Sequence, residues 1–373
     1  MKLLLVMAHS SPWSLDIAGS LQAGRHEVHV LDFAAPRVSD IPTDSRDIGA
    51  ALAAFASVTL LPRPRGGLAQ LFALTRGMHA CARRVRPDVM LCLYGGLFAC
   101  AAWLSRVRPY AVWVVGSDVL LAGKSLRLIN RFALGAAARV FANGAHLAER
   151  ARRQAPAATV ENLLIGVDSE QFVPGTRGGP ARLFNHRWFT PVYDNKTIIR
   201  AIALLPTDVP SFEMIFASGG PELQAARALA DQVLPPCLRS SVHFLEGRLR
   251  RQELLDELAR ADVFVSMSHS DGTATSVLEA MMSGVFPVLS DIPANRALVD
   301  PAAGIGTLVP VADAAALAAE LARRIGEVAR SRADAAGIRA HVLRFAASSA
   351  TRATLARGLT DIVHSNETSR RFA

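Results

Sequence analysis

The sequence is poor in cysteine, lysine and aromatic rings, and it has no long uninterrupted apolar run. Its four cysteines (Cys81, Cys92, Cys100, Cys237) contain no C-x-x-C pair. That excludes a dense disulfide framework and argues against a thiolate metal site, so they read as reduced core thiols of a cytosolic protein. The longest uncharged run, 89–105, is shorter than the ~20 residues of a spanning helix. Gly95-Gly96 also interrupts it, so it reads as strand, turn and helix. The opening "MKLLLVMAHS" is too short in its apolar part for a leader, is broken by His9 and lacks a small-residue cleavage pattern. It reads as a buried first strand.

Lysine is so rare that the net charge of +9 rests on arginine. Residues 1–170 carry 19 Arg and Lys against 12 Asp and Glu, and the segment 62–87 has six Arg and no acid. A solvated basic face and a peripheral contact with an anionic membrane surface both fit such a segment. Nucleic acid fits poorly, because no binding motif is present and the stretch has few aromatics to stack bases.

What the sequence does have is core-forming material: 51% hydrophobic residues and 20% charged over 373 residues. That length and composition suggest two globular domains. Short β-prone runs ("KLLLVMA", "HEVHVLDF", "SVTLLP", "VMLCLY", "YAVWVV", "RVFANG") alternate with helical patterns, then the Gly- and Pro-rich 166–184 breaks the rhythm. Afterwards the alternation restarts with "RLFNHRW", "FEMIFASGG", "SVHFLEG", "DVFVSMS" and "VFPVLS". Alternation of this kind predicts βα units and parallel sheets covered on both faces. The fold class expected is α/β, with two doubly wound halves facing each other across a cleft that holds the ligand. The boundaries read as 1–167 for the first half, 168–180 for a linker and hinge, and 181–345 for the second half. Residues 346–373 form a helix and tail returning to the first half, with a frayed end.

One unit carries chemistry. "VFVSMS" reads as a strand, "HSDGTA" as the loop at its carboxyl end and 275–282 as a short helix. Thr275 or Ser276 suits its amino end, and Gly284 suits the left-handed position that closes it. Amide groups and the dipole at the helix mouth favour an anion, and Gly272, Thr273 and Ala274 are small enough to let a phosphate approach. Glu279 lies one turn in, on the face of the mouth. A carboxylate there would repel phosphate but can accept two hydrogen bonds from a vicinal diol such as a ribose. Asp271, ahead of the loop, is placed for hydroxyls on the other side. An ordinary capped helix with a surface glutamate is equally compatible with the spacing.

Residues 263–311 ("VFVSMSHSDGTATSVLEAMMSGVFPVLSDIPANRALVDPAAGIGTLVPV") resemble the signature of the family-4 retaining glycosyltransferases, glycosyl transferase group 1, of GT-B fold. "LLIGVDSEQF", "FASGGPE", "VHFLEG" and "GSDV" resemble further family segments in the family's order. The resemblance implies that Glu279 holds the ribose and that Asp271, in place of a glutamate, contacts the transferred sugar. It implies that Gly272, Thr273 and the amides of Ala274, Thr275 and Ser276 meet the diphosphate, that Arg187 faces it, and that backbone near Gly247 and Arg248 meets the base. A second basic residue of the family has no clean match; Tyr193 falls there, with Lys196 three positions on. In the first half Val115 stands where many members have His. Ser10 and Ser11 replace a paired-glycine loop, and Asp118 is the polar candidate for the reacting centre, or a structural Asp. His9 and His146 are weaker candidates.

The implied activity is metal-independent transfer of a sugar, with retention, from a nucleoside-diphosphate sugar to a glycan or lipid-linked acceptor in bacterial surface polysaccharide or glycoconjugate synthesis. No cofactor is implied beyond the donor substrate. The cysteine usage suits the cytoplasm, and the basic segment 62–87 suits a peripheral position at the inner face of the plasma membrane. A small soluble acceptor and a weakly active or inactive nucleotide-sugar-binding subunit stay open as alternatives. Sugar-nucleotide 2-epimerases share the fold, but no residue favours them.

Overall fold

A computed structural model describes residues 1–8, 11–33, 45–121, 123–245, 247 and 249–371. His9, Ser10 and Arg248 lie outside the described residues. The chain forms two compact units, Met1–Ile165 with Ser349–Ala373, and Gly166–Ser348. The expected α/β alternation is borne out in both.

The first unit contains β1 (Lys2–Val6), β2 (Glu27–Phe33), β3 (Ser57–Leu61), β4 (Val89–Cys92), β5 (Tyr110–Val114), β6 (Arg139–Ala142) and β7 (Val160–Asn162). They pair in parallel in the order β3-β2-β1-β4-β5-β6-β7. Successive side chains of a strand point to opposite faces, and β1 shows the division. Leu4 and Val6 join a core under helices Gly67–Val85, Gly96–Ser105 and Lys124–Gly135. Leu3 and Leu5 join a core on the other face, which includes Leu355, Leu359 and Ile362 of the terminal helix Ser348–Arg371. Parallel strands buried on both faces need continuous apolar runs, which is why the strands were readable.

The second unit contains β8 (Ala181–Asn185), β9 (Phe212–Ala217), β10 (Val242–Leu245), β11 (Val263–Ser266), β12 (Phe286–Ser290) and β13 (Thr307–Val309). Their order is β10-β9-β8-β11-β12-β13, all parallel. The strand order reverses between β8 and β11, neighbours paired at Val263 with Leu183 and Phe264 with Phe184. Ligands of open α/β sheets bind beyond the carboxyl ends of the strands at such a switch point.

Several local expectations are corrected. The stretch 168–180 is packed into the second unit instead of hanging between units. Phe172 is fully buried beneath the Arg251 guanidinium, and Arg339 donates to the carbonyls of Ser169 and Phe172. Its Gly and Pro content suggested a flexible segment, but these anchors fix it. The terminal region is two helices, Ala335–Ala346 and Ser348–Arg371, broken at Ala347, and helix replaces the expected fraying as far as Arg371. Three cysteines are buried, and burial pushes the Cys92 thiol far above its ordinary value. Cys237, expected in the core, is exposed on the single turn Pro236–Arg239.

Candidate functional site

The loops leaving β8 and β11 build the site. Asn185 ends β8 fully buried, and its side-chain amide donates to the Val265 carbonyl of β11 at 2.7 Å. Its side-chain oxygen accepts the Arg187 amide at 2.9 Å. Asn195 donates to the Arg187 carbonyl at 3.1 Å. One asparagine thus ties the central strands together and sets the turn that presents Arg187.

The Arg187 residue is only 7% exposed. Its guanidinium donates to the Ser276 hydroxyl at 2.7 Å and to the Asp271 carboxylate, and it lies 3.9 Å over the Tyr193 ring. A buried cation is costly without partners, and these three contacts supply them. The buried Nε of Arg187 has no hydrogen-bond partner among the described residues. Tyr193 therefore supplies a ring under the first cation instead of a second cation. Lys196 is paired with Glu222 at 2.6 Å.

Helix Thr275–Met282 begins at Ala274, whose position has extended backbone and no side-chain cap. Thr275 and Ser276 are residues of the first turn, and the Ser276 hydroxyl accepts from Arg187. Gly272, Thr273, Ala274 and Ser276 are buried, and Thr275 is half-buried. At the carboxyl end Gly284 has φ +70°, and a Cβ there would lie 2.9 Å from the Ala335 carbonyl oxygen. Arginines bond the last carbonyls: Arg339 to Met282 at 2.5 Å, Arg177 to Ser283 at 2.5 Å and to Gly284 at 2.7 Å. Cations at a carboxyl terminus complement the helix dipole, so the uncapped end is the one that faces Arg187.

Glu279 lies between two cation-forming groups. One carboxylate oxygen is 3.3 Å from His186 Nε2 and the other 3.7 Å from the Arg251 guanidinium. The His186 ring packs against Phe184 and Phe264, with centroids at 5.4 and 5.3 Å. Its Nδ1 is buried and without a partner among the described residues. Sequence reasoning missed both partners. His186 was visible as the neighbour of Arg187 in "NHRW"; nothing in the sequence marked Arg251.

The second unit therefore gathers Arg187, Asp271, Ser276 and Glu279 with the small loop residues 272–275. Gly247, φ +73°, lies beyond β10 in the same unit. Ser11 and Asp118 are in the first unit. Ser11 precedes helix Pro12–Ala23 without a side-chain cap bond. Asp118 is 2% exposed, and its carboxylate accepts the amides of Gly95 and Gly116 at 2.8 Å and of Val115 at 3.2 Å. Burial pushes its carboxyl above the ordinary value, against those amide bonds. A Cβ on Gly95 would lie 2.7 Å from the Asp118 carboxylate, so a side chain there would displace that carboxylate from its amides. These contacts hold Asp118 between the loops after β4 and β5. Among the described residues no group of three or more His, Cys, Asp and Glu is arranged to hold a metal ion.

Residues 168–335 match the family described as glycosyl transferases group 1. A GDP-mannose:cellobiosyl-diphosphopolyprenol alpha-mannosyltransferase of Xanthomonas campestris is 27% identical over 229 residues, 59% of this chain and 52% of that protein. The chain thus spans about half the length of that relative. Sucrose-phosphate synthase of Thermosynechococcus elongatus superimposes with a TM-score of 0.81 at 16% identity, over 98% of this chain and 100% of that one. HepE of Anabaena, solved with UDP and glucose, gives 0.76 at 17%, over 97% and 100%. With both parallel sheets, these likenesses show the GT-B fold. The matched stretch, residues 168–335, contains the whole Arg187–Asp271–Glu279 constellation.

Proposed function

We propose that the chain is a retaining glycosyltransferase that moves a sugar from a nucleoside-diphosphate sugar to a glycan or lipid-linked acceptor of bacterial surface polysaccharide synthesis. The carrying observation is the buried Arg187 guanidinium, held by Ser276 and Asp271 at the uncapped mouth of helix Thr275–Met282 with an Nε hydrogen to spare. As the glycosidic bond breaks, negative charge grows on the departing diphosphate. A preorganised guanidinium and helix amides stabilise that charge in a site of low dielectric without reorganising. Asp271, released from Arg187 when the phosphate takes its place, accepts hydroxyls of the sugar. Glu279 accepts the ribose diol, with His186 and Arg251 orienting its two oxygens. In this reading the protein's own groups neutralise the leaving group without a metal. The name of the X. campestris relative makes GDP-mannose the first donor to try and a diphosphopolyprenol-linked glycan the first acceptor.

The test is a thermal-shift screen of GDP-mannose, UDP-glucose and their free diphosphates, followed by donor hydrolysis. A ligand bound only by the native state raises the melting temperature. Glu279→Gln removes a charged acceptor of two hydrogen bonds and should weaken donor binding about ten- to hundred-fold. Wild-type affinity in that variant would remove Glu279 from the site.

A second reading, a nucleotide-sugar-binding subunit with little catalysis, draws on one observation. The first unit's polar candidate, Asp118, has its carboxylate occupied by backbone amides. Binding of a donor without turnover in the presence of acceptor extracts would favour it.

A further inference from the structure

Helices Gly67–Val85, Gly96–Ser105 and Lys124–Gly135 lie side by side over one face of the first sheet. Their inward side chains form its core, but the outward ones are not all polar. Leu68 is 85% exposed, Phe72 63%, Leu128 60% and Phe132 50%. Arg76 lies over the Phe72 ring at 5.5 Å, and Trp103 stacks on Phe132 at 5.9 Å. Arg63, Arg65, Arg127 and Arg131 are exposed on the same helices and their approaches. Between residues 48 and 148 the only acids are Asp88 and Asp118, against twelve Arg and Lys. Asp118 is buried, so the layer is cationic almost without compensation.

We propose that this helical layer docks on an anionic lipid surface, with its arginines among phosphate headgroups and Leu68, Phe72, Leu128 and Phe132 in the interfacial layer. Exposed apolar side chains set among cations match the two parts of that interface, hydrocarbon and headgroup. A second copy of the chain fits worse, because pairing this face with itself would bring arginine against arginine. Among the described residues no helix is long and apolar enough to cross a membrane, so the contact lies in the plane of the surface. The proposal goes beyond the sugar-transfer reading and stands without it.

The experiment is flotation of the full chain, without nucleotide or acceptor, on vesicles of phosphatidylcholine alone or mixed with phosphatidylglycerol. The protein should float with the anionic vesicles only, and binding should fall steeply with salt as the charges are screened. Arg63→Ala, Arg76→Ala and Arg127→Ala should each weaken binding about five-fold. The pair Leu68→Ser with Phe72→Ser should weaken it at low and high salt alike. Unchanged melting temperatures would show that these surface variants fold. No flotation at low salt, equal flotation on neutral vesicles, or wild-type flotation of the arginine variants would overturn the proposal. So would self-association of the wild type that Phe72→Ser abolishes. Donor-induced thermal shifts of the same proteins report on the sugar-transfer reading separately.

Discussion

Arg187→Met should lower kcat for donor cleavage by about 10²–10³-fold, the usual effect of removing one preorganised donor from a developing anion. The side chain is held before any ligand arrives by Ser276, Asp271 and the Tyr193 ring, so its placement costs nothing during the reaction. Removing it also leaves the Asp271 carboxylate beside the helix mouth without its guanidinium partner. The double variant Arg187→Met/Asp271→Asn separates the two effects: it should regain stability but not turnover. Arg187→Lys should stay well below wild type, because an ammonium cannot reproduce the planar fork that keeps the Ser276 bond while it faces the diphosphate. Single-turnover donor cleavage, with the melting temperature of each variant, checks all three. Wild-type kcat in a folded Arg187→Met protein would move the leaving-group site elsewhere.

The second large effect is on stability. Asp262 is fully buried, and its carboxylate takes a two-pronged bond from Arg332 at 2.8 and 3.0 Å and the Arg182 amide at 2.9 Å. Arg332 also bonds the carbonyls of Gly179 and Pro180, so the pair pins the entry to β8 against the start of β11. Arg332→Met strips the buried carboxylate of its two-pronged guanidinium partner and should cost about 3–5 kcal/mol of unfolding free energy. Replacing both partners, Arg332→Met/Asp262→Leu, should restore much of it, because no unpaired charge then remains buried. Urea unfolding measures both. A loss below about 1 kcal/mol in the single variant would show that water reaches Asp262.

The strand-loop-helix of the site was legible because each part has a local signal. Those signals are the apolar run before Ser266, the small residues after Asp271 and a helix-length segment closed by Gly284 at positive φ. The partners of the acids were not legible. Arg187 reaches Ser276 across 89 positions and Glu279 meets His186 across 93; both contacts exist only because β8 pairs with β11. Asp118 shows the converse limit. Its sequence neighbourhood fits a reactive loop and a clamp equally, and nothing in it marks the amides of Gly95, Val115 and Gly116 that surround the carboxylate. Glycine and proline in 168–180 misled for a related reason. Composition reports the conformational freedom of a segment, while the anchors that remove it, Arg339 and Arg251, lie far along the chain.

The most direct measurement is a crystal structure of the protein with a donor such as GDP-mannose. The diphosphate should lie within hydrogen-bond distance of Arg187 and the amides of Thr275 and Ser276, with the ribose hydroxyls on Glu279. A nucleotide bound elsewhere, or one seated here with Arg187 still closed on Asp271 and out of reach of phosphate, would contradict the account.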